Sequence, residues 1–169
     1  RPLLRADTIR ELVSQHESSD YAATVLTVHR DDPSGSRRVV RSPARQGLGR
    51  ILRIADDAQC TAEEHLITEC STTVFAFRRD LLGPALRRLS PDNAQGEYYL
   101  TDVVGSLAAM GHRVGTVDVP AAETQGVNDR WQLALAEREL RNRTNRHWLP
   151  NGVTMLDPRQ TFIDVTVRL

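Results

Sequence analysis

The stretch AATVLTVH (22–29) decides the fold class. It is rich in β-branched residues and shows no polar alternation, the pattern of a strand covered on both faces. Such a strand needs helices packed on each side, and the preceding segment supplies one. Residues 7–17 read as an amphipathic helix with Ile9, Leu12 and Val13 on one face. Asp7 or Thr8 can cap it, and Thr8 and Glu11 have capping-box spacing.

Downstream, DDPSGS (31–36) is turn chemistry, with Pro33 fixing φ and Gly35 permitting a positive φ. Residues 37–41 and 50–55 read as short strands of a hairpin around SPARQGLG. The pattern then predicts a short helix over 61–67 capped by Thr61, and a strand over 70–77. A helix follows over 79–89 with Pro84 near its first turn, where a missing N–H is tolerated. A further helix over 97–110 stops at Gly111, a strand covers 113–119, and a long helix runs over about 127–148 to Pro150 and Gly152. This alternation predicts an α/β domain with a mostly parallel sheet and crossover helices.

The last twenty residues change character: VTMLDP and TFIDVTVRL are short β-rich steps separated by a polar turn. One coil of a solenoid cannot bury its own face, so this tail calls for more chain. RPLLRADTIR begins abruptly and carries no secretory apolar core, so both ends are expected to be truncations.

Composition narrows the function classes. The 169 residues carry 22 basic and 22 acidic groups and formal net charge zero, so no nucleic-acid or membrane-surface footprint is expected. Every basic residue is arginine, which excludes a lysine nucleophile or a phosphate-loop lysine within these residues. No apolar run of about eighteen residues exists to form a membrane-spanning helix. Cys60 and Cys70 lack a metal-ligand spacing and are too few for a disulfide framework. A cytoplasmic protein is the expectation.

Chemistry is sparse on residues alone. His16, His29, His65, His112 and His147 are scattered. Asp31-Asp32 and Asp56-Asp57 read as turn residues before they read as paired Mg²⁺ carboxylates. In NAQGEYYLTD (93–102) a polar loop containing Gly96 flows into a helix carrying Tyr98 and Tyr99. In GVNDR (126–130) Asn128 either caps the long helix or offers its amide to Mg²⁺ or phosphate beside the helix dipole, and Asp129 suits the positive helix end.

Together these motifs resemble the uridyltransferase domain of bacterial bifunctional N-acetylglucosamine-1-phosphate uridyltransferase/glucosamine-1-phosphate acetyltransferases. NAQGEYYLTDVV (93–104) is the most specific stretch, with LTVHRDDPSG (26–35), GVNDRWQLALAERELRNR (126–143), NGVTMLDP (151–158) and TFIDVTV (161–167) in family order. The resemblance implies a Rossmann-like nucleotidyltransferase: the C-terminal, sugar-binding half over 1–125, a connecting helix over 126–150, and the start of a left-handed parallel β-helix over 151–169. It implies UMP transfer from UTP to N-acetylglucosamine 1-phosphate, Mg²⁺ as cofactor, and trimerisation where a β-helix is present. Asn128 matches the family asparagine that holds Mg²⁺ and nucleotide-sugar phosphates, and the family's partner aspartate would precede Arg1.

Three positions of the implied sugar pocket depart from the pattern. Gly35-Ser36-Arg37-Arg38 stands for Gly-Tyr-Gly-Arg, putting Arg37 where close backbone approach wants glycine. Asp56 replaces the glutamate that holds sugar hydroxyls, and Ser71-Thr72-Thr73 replaces Asn-Thr-Gly, which loses an amide at Ser71. The substrate-binding set implied by the resemblance is therefore Arg37, Asp56, Ser71 and Asn128. The 169 residues are expected to be inactive alone. The alternatives are a shifted sugar 1-phosphate specificity or a degenerate, non-catalytic relative.

Overall fold

The computed structural model describes residues 1–92 and 96–169. Asn93, which the sequence places in a loop, lies outside them. The chain forms two compact units, one of Arg5–Ala121 and one of Arg1–Leu4 with Ala122–Leu169.

The first unit opens with helix α1 (Ala6–Ser18) and strand β1 (Ala23–His29), then the hairpin strands β2 (Arg37–Arg41) and β3 (Ile51–Ala55). Strand β4 (Glu69–Phe77), helices α2 (Arg79–Leu86) and α3 (Asp102–Ala109), and strand β5 (Val114–Asp118) complete it. As AATVLTVH requires, six of the seven β1 residues are buried. The His16 ring of α1 meets Thr24 Oγ1 at 2.9 Å on one face. On the other face Ala23 packs with Ala85, Val103 and Leu107, while Val25 packs with Val39, Ile51, Ile54 and Val104.

The sheet order is β3-β2-β4-β1-β5, and here the expectation fails in one respect. Only β1 and β5 run parallel; the β2–β3, β2–β4 and β1–β4 pairs are antiparallel. The reason is where β4 goes: after the hairpin it inserts between β1 and β2, antiparallel to both. Where a helix over 61–67 was expected, the β3–β4 connection holds only one-turn 3₁₀ segments at Asp57–Gln59 and Glu64–Leu66. Thr61 and Glu64 do cap each other, with Glu64 N–H donating to Thr61 Oγ1 at 3.2 Å and Thr61 N–H to Glu64 Oε2 at 3.0 Å. α2 ends at Leu86 and holds Pro84 past its first turn. α3 begins at Asp102, so Tyr98 and Tyr99 precede the helix and do not ride on it.

The hairpin strands extend the sheet beyond β4, and one side chain fastens them. Arg41 gives Glu69 two bonds of 2.7 Å, one to Thr116 Oγ1 at 2.9 Å and one to the Gly49 carbonyl at 3.0 Å. The Arg41 and Glu69 side chains are only 16% and 9% exposed, so each charge depends on its partner.

The second unit is built on helix α4 (Arg130–Trp148). Asp129, not Asn128, caps it, accepting from Gln132 N–H at 2.7 Å. The buried Asn145 amide donates to the carbonyls of Pro158 and Thr161, holding the tail on the helix. Residues 151–169 are turns and extended backbone without a strand. Strand pairing in a solenoid comes from the neighbouring coil, which one coil alone does not have. No helix among the described residues is long and apolar enough to cross a membrane.

Replacing Arg41 with alanine leaves the Glu69 carboxyl without that partner in a packed position. Urea unfolding of Arg41→Ala should show a loss of about 3–5 kcal/mol. A loss below about 1 kcal/mol, the worth of a surface pair, would refute the clamp.

Candidate functional site

The turn 30–36 delivers Arg37 to the start of β2. Ser36 N–H closes the turn on the Pro33 carbonyl at 2.9 Å, and Gly35 takes φ 69°. Asp57 fixes the turn from outside: Oδ2 accepts from Gly35 N–H at 3.0 Å, and Oδ1 accepts from the buried Arg38 guanidinium at 2.8 Å. The Gly35 bond above all, then Arg38, holds the Asp57 carboxyl below the usual carboxylate range against the opposing effect of burial. Asp32 is lowered likewise by its Ser34 hydrogen bonds. Asp32 and Asp57 therefore serve turns, as their composition suggests.

Asp56 caps the following 3₁₀ turn and turns its other oxygen toward Arg37, with Oδ2 3.2 Å from Arg37 Nε. The Arg37 guanidinium also lies over the Tyr99 ring, 5.3 Å from its centroid. Across the sheet Arg37 is in register with Ser71 of β4. Three of the positions singled out by the sequence, Arg37, Asp56 and Ser71, therefore come together at one end of the sheet. Asn128 belongs to the other unit; it is exposed, and its N–H donates to Gln132 Oε1 at 2.7 Å.

A cavity of about 190 Å³ opens here, lined by Arg37, Thr73, Phe75, Tyr98, Tyr99 and Thr101 among others. Burial, then the charges of Asp56 and Glu97, push the Tyr99 phenol up, with Arg37 opposing. Burial raises the Asp102 carboxyl, again against Arg37. Arg37 is thus the cation that the surrounding acids and phenol respond to. The arrangement can hold an anionic or hydroxyl-rich ligand against Arg37 and Asp56. It offers no nucleophile paired with a base.

Sequence reasoning missed two contributors. Tyr99 stacks on Arg37, which only tertiary placement shows. Thr73 has φ 66°, the one non-glycine residue with a positive φ among those described. It lies inside a register shift: β1 pairs Val25 with Phe75 and Thr27 with Ser71, so Thr72, Thr73 and Val74 bulge opposite Leu26. Thr72 Oγ1 fills the gap by donating to the Leu26 carbonyl at 2.8 Å. The signal was the glycine that the family pattern places at this position.

Mg²⁺ takes six oxygen ligands, with carboxylates and phosphates among them. Among the described residues no three His, Cys, Asp or Glu side chains gather into such a site. Asp129 is committed to its cap, and the neutral Asn128 amide alone does not hold Mg²⁺. The described donor set does not fit a resident metal ion.

Comparison with known proteins agrees with this architecture. No protein-family model matches the chain. Over 99% of its length it is 43% identical to the bifunctional protein GlmU of Thermobifida fusca, 41% to that of Limosilactobacillus reuteri and 40% to that of Clostridium botulinum. It spans about a third of their length, 34–36%. Among solved structures, a glucose-1-phosphate thymidylyltransferase candidate of Bacillus anthracis matches with TM-score 0.52 and 17% identity, covering 89% of this chain and 52% of that one. A nucleoside-diphosphate-sugar pyrophosphorylase of Vibrio cholerae matches with TM-score 0.52 and 16% identity, covering 72% and 47%. These two share the Rossmann-like nucleotidyltransferase fold.

Two measurements test this geometry. A β-branched residue in the left-handed region costs about 1–2 kcal/mol, so Thr73→Gly should raise stability by about 1 kcal/mol in urea unfolding. A decrease would show that the bulge tolerates threonine without strain. Asp57 has a depressed folded value, so its contribution is present above the ordinary carboxylate range and lost as pH falls through the folded value. Acid titration of stability should accordingly be shallower in Asp57→Asn than in the parent; identical profiles would remove Asp57 from the account.

Proposed function

We propose that this chain, a relative of the bifunctional GlmU proteins over one stretch of their length, is the sugar-binding part of a nucleotidyltransferase that forms UDP-N-acetylglucosamine. The observation that carries the reading is Arg37, which lines the cavity with Tyr99 and is itself met by Asp56 and in register with Ser71, at the positions where the family resemblance puts the sugar pocket. In the reaction a phosphate oxygen of the sugar 1-phosphate attacks the α-phosphorus of UTP. The α–β phosphoanhydride bond breaks and pyrophosphate leaves.

The residues of this chain act on the sugar side. Asp56 accepts from sugar hydroxyls, and the Ser71 hydroxyl, now accepting from Thr73 N–H at 3.3 Å, offers a shorter reach than an amide. Asn128 contributes a side-chain amide beside the positive end of α4, suited to phosphate oxygens. Mg²⁺ would supply charge neutralisation on the phosphates, and it requires carboxylates beyond those gathered among the described residues. The cytoplasm is the expected compartment, and trimerisation is expected where a β-helix is present.

One observation favours a second reading, an altered sugar specificity. Arg37 occupies the pocket edge and is already paired with Asp56. A neutral sugar must break that pair, whereas a sugar bearing an acidic group finds a cation in place. A degenerate, non-catalytic relative is the further alternative.

Titration of the chain with N-acetylglucosamine 1-phosphate, followed by NMR, tests the assignment. Arg37→Gly with Ser71→Asn should tighten binding at least tenfold, about 1.4 kcal/mol, with shifts centred on Asp56 and Tyr99. Equal or weaker binding by the double variant would count against the sugar-pocket assignment.

A further inference from the structure

A second cavity, of about 300 Å³, lies in the first unit between the hairpin tip, the start of β1 and the turn before β5. Its lining includes Tyr21, Arg41, Arg50, His112, Arg113 and Gly115, and no carboxylate. It is far from the site above. Ser71 and Arg37 sit at the rung of Thr27, whereas Val114 pairs with Ala23. The two rungs are four residues apart on β1, about 13 Å at the rise of an extended strand.

The cavity is built, and its charge is not internally cancelled. Arg41 forms the back wall, immobilised and neutralised by Glu69. Tyr21 forms the floor: its ring lies so close to Gly115 that a Cβ there would come within 2.3 Å of it. Arg113 places its guanidinium over that ring, 5.1 Å from the centroid, and makes no ion pair among the described residues. Arg50 reaches only the Gly111 carbonyl, at 3.4 Å. Arg50 and Arg113 therefore bring two positive charges to the mouth of a polar cavity in a chain of net charge zero. Arginine forks match the geometry of phosphate oxygens.

We propose that this cavity is a binding site for a small phosphate or diphosphate anion, separate from the sugar pocket. Its guanidinium donors recognise the oxyanion, and its size admits pyrophosphate more readily than a nucleotide. The inference stands on this cavity alone and does not need the proposed reaction.

The test is titration of the chain with inorganic phosphate and with pyrophosphate, read by amide NMR shifts. Saturable shifts should appear at His112, Gly115 and Thr116, stronger for pyrophosphate and weakened by added salt. Arg113→Ala and Arg50→Ala, both exposed positions, should keep the parent melting temperature and each weaken binding about tenfold. Arg37→Gly should leave these shifts unchanged. No saturable shift, shifts confined to Arg37 and Tyr99, or binding indifferent to Arg113→Ala and Arg50→Ala would each overturn the proposal. Loss of N-acetylglucosamine 1-phosphate binding with pyrophosphate binding intact would sink only the sugar-pocket reading.

Discussion

The Arg41 guanidinium is the joint on which the first unit turns. The hairpin pairs with β4 only at Arg37 and Arg38, and its apolar contacts, such as those of Val39, Ile51 and Ile54 with Val25 and Val104, are non-directional and leave it free to slide. The fork of Arg41 removes that freedom, since two parallel bonds to Glu69 fix both distance and angle. Its further bonds reach β5 through Thr116 and its own hairpin through Gly49, so three segments meet at one charge. A pair of this kind adds little net stability compared with packed apolar residues, but its geometry is unforgiving. Placement is what it contributes.

That placement serves both ends of the hairpin. The base carries Arg37 and Arg38, and Asp57 holds the base by accepting from Gly35 and Arg38. The tip carries Arg50 and, beside Arg41, borders the second cavity. One rigid two-stranded piece thus sets the position of arginines at opposite ends of the sheet. The Thr73 bulge complements it from β4, because the extra residues in that strand bring Ser71 back into register with both Thr27 and Arg37.

Most of the elements were legible in the sequence, because burial on both faces writes an uninterrupted apolar β-branched run, and helix ends write caps and glycines. Strand direction was not legible. It depends on which gap the strand after the hairpin fills: β4 lies between β1 and β2, antiparallel to both, and no local pattern in its own residues records that choice. The helix expected from 97 starts at 102, since no apolar period over 97–101 was present to distinguish a loop with tyrosines from a first turn. At the site, Arg37, Asp56 and Ser71 were found through the resemblance, whereas the Tyr99 contact exists only in three dimensions. The αL strain of Thr73 shows as a departure from glycine, and its chemical consequence follows only from the observed φ.

The Arg37–Asp56 pair also bears on selectivity. Both side chains are roughly a third exposed, so solvent screening limits the pair to about 1 kcal/mol or less. It is therefore a weak latch that a ligand can open. A ligand bringing only hydroxyls must compete with a guanidinium for Asp56 and leaves Arg37 to water and Tyr99. A ligand bringing an anion keeps Arg37 paired and frees Asp56 to accept from its hydroxyls, so both groups gain a partner. The same two side chains penalise the first ligand and favour the second. Under the proposed sugar-pocket reading, an arginine at this position would favour the second ligand, while the turn around it is held by Asp57.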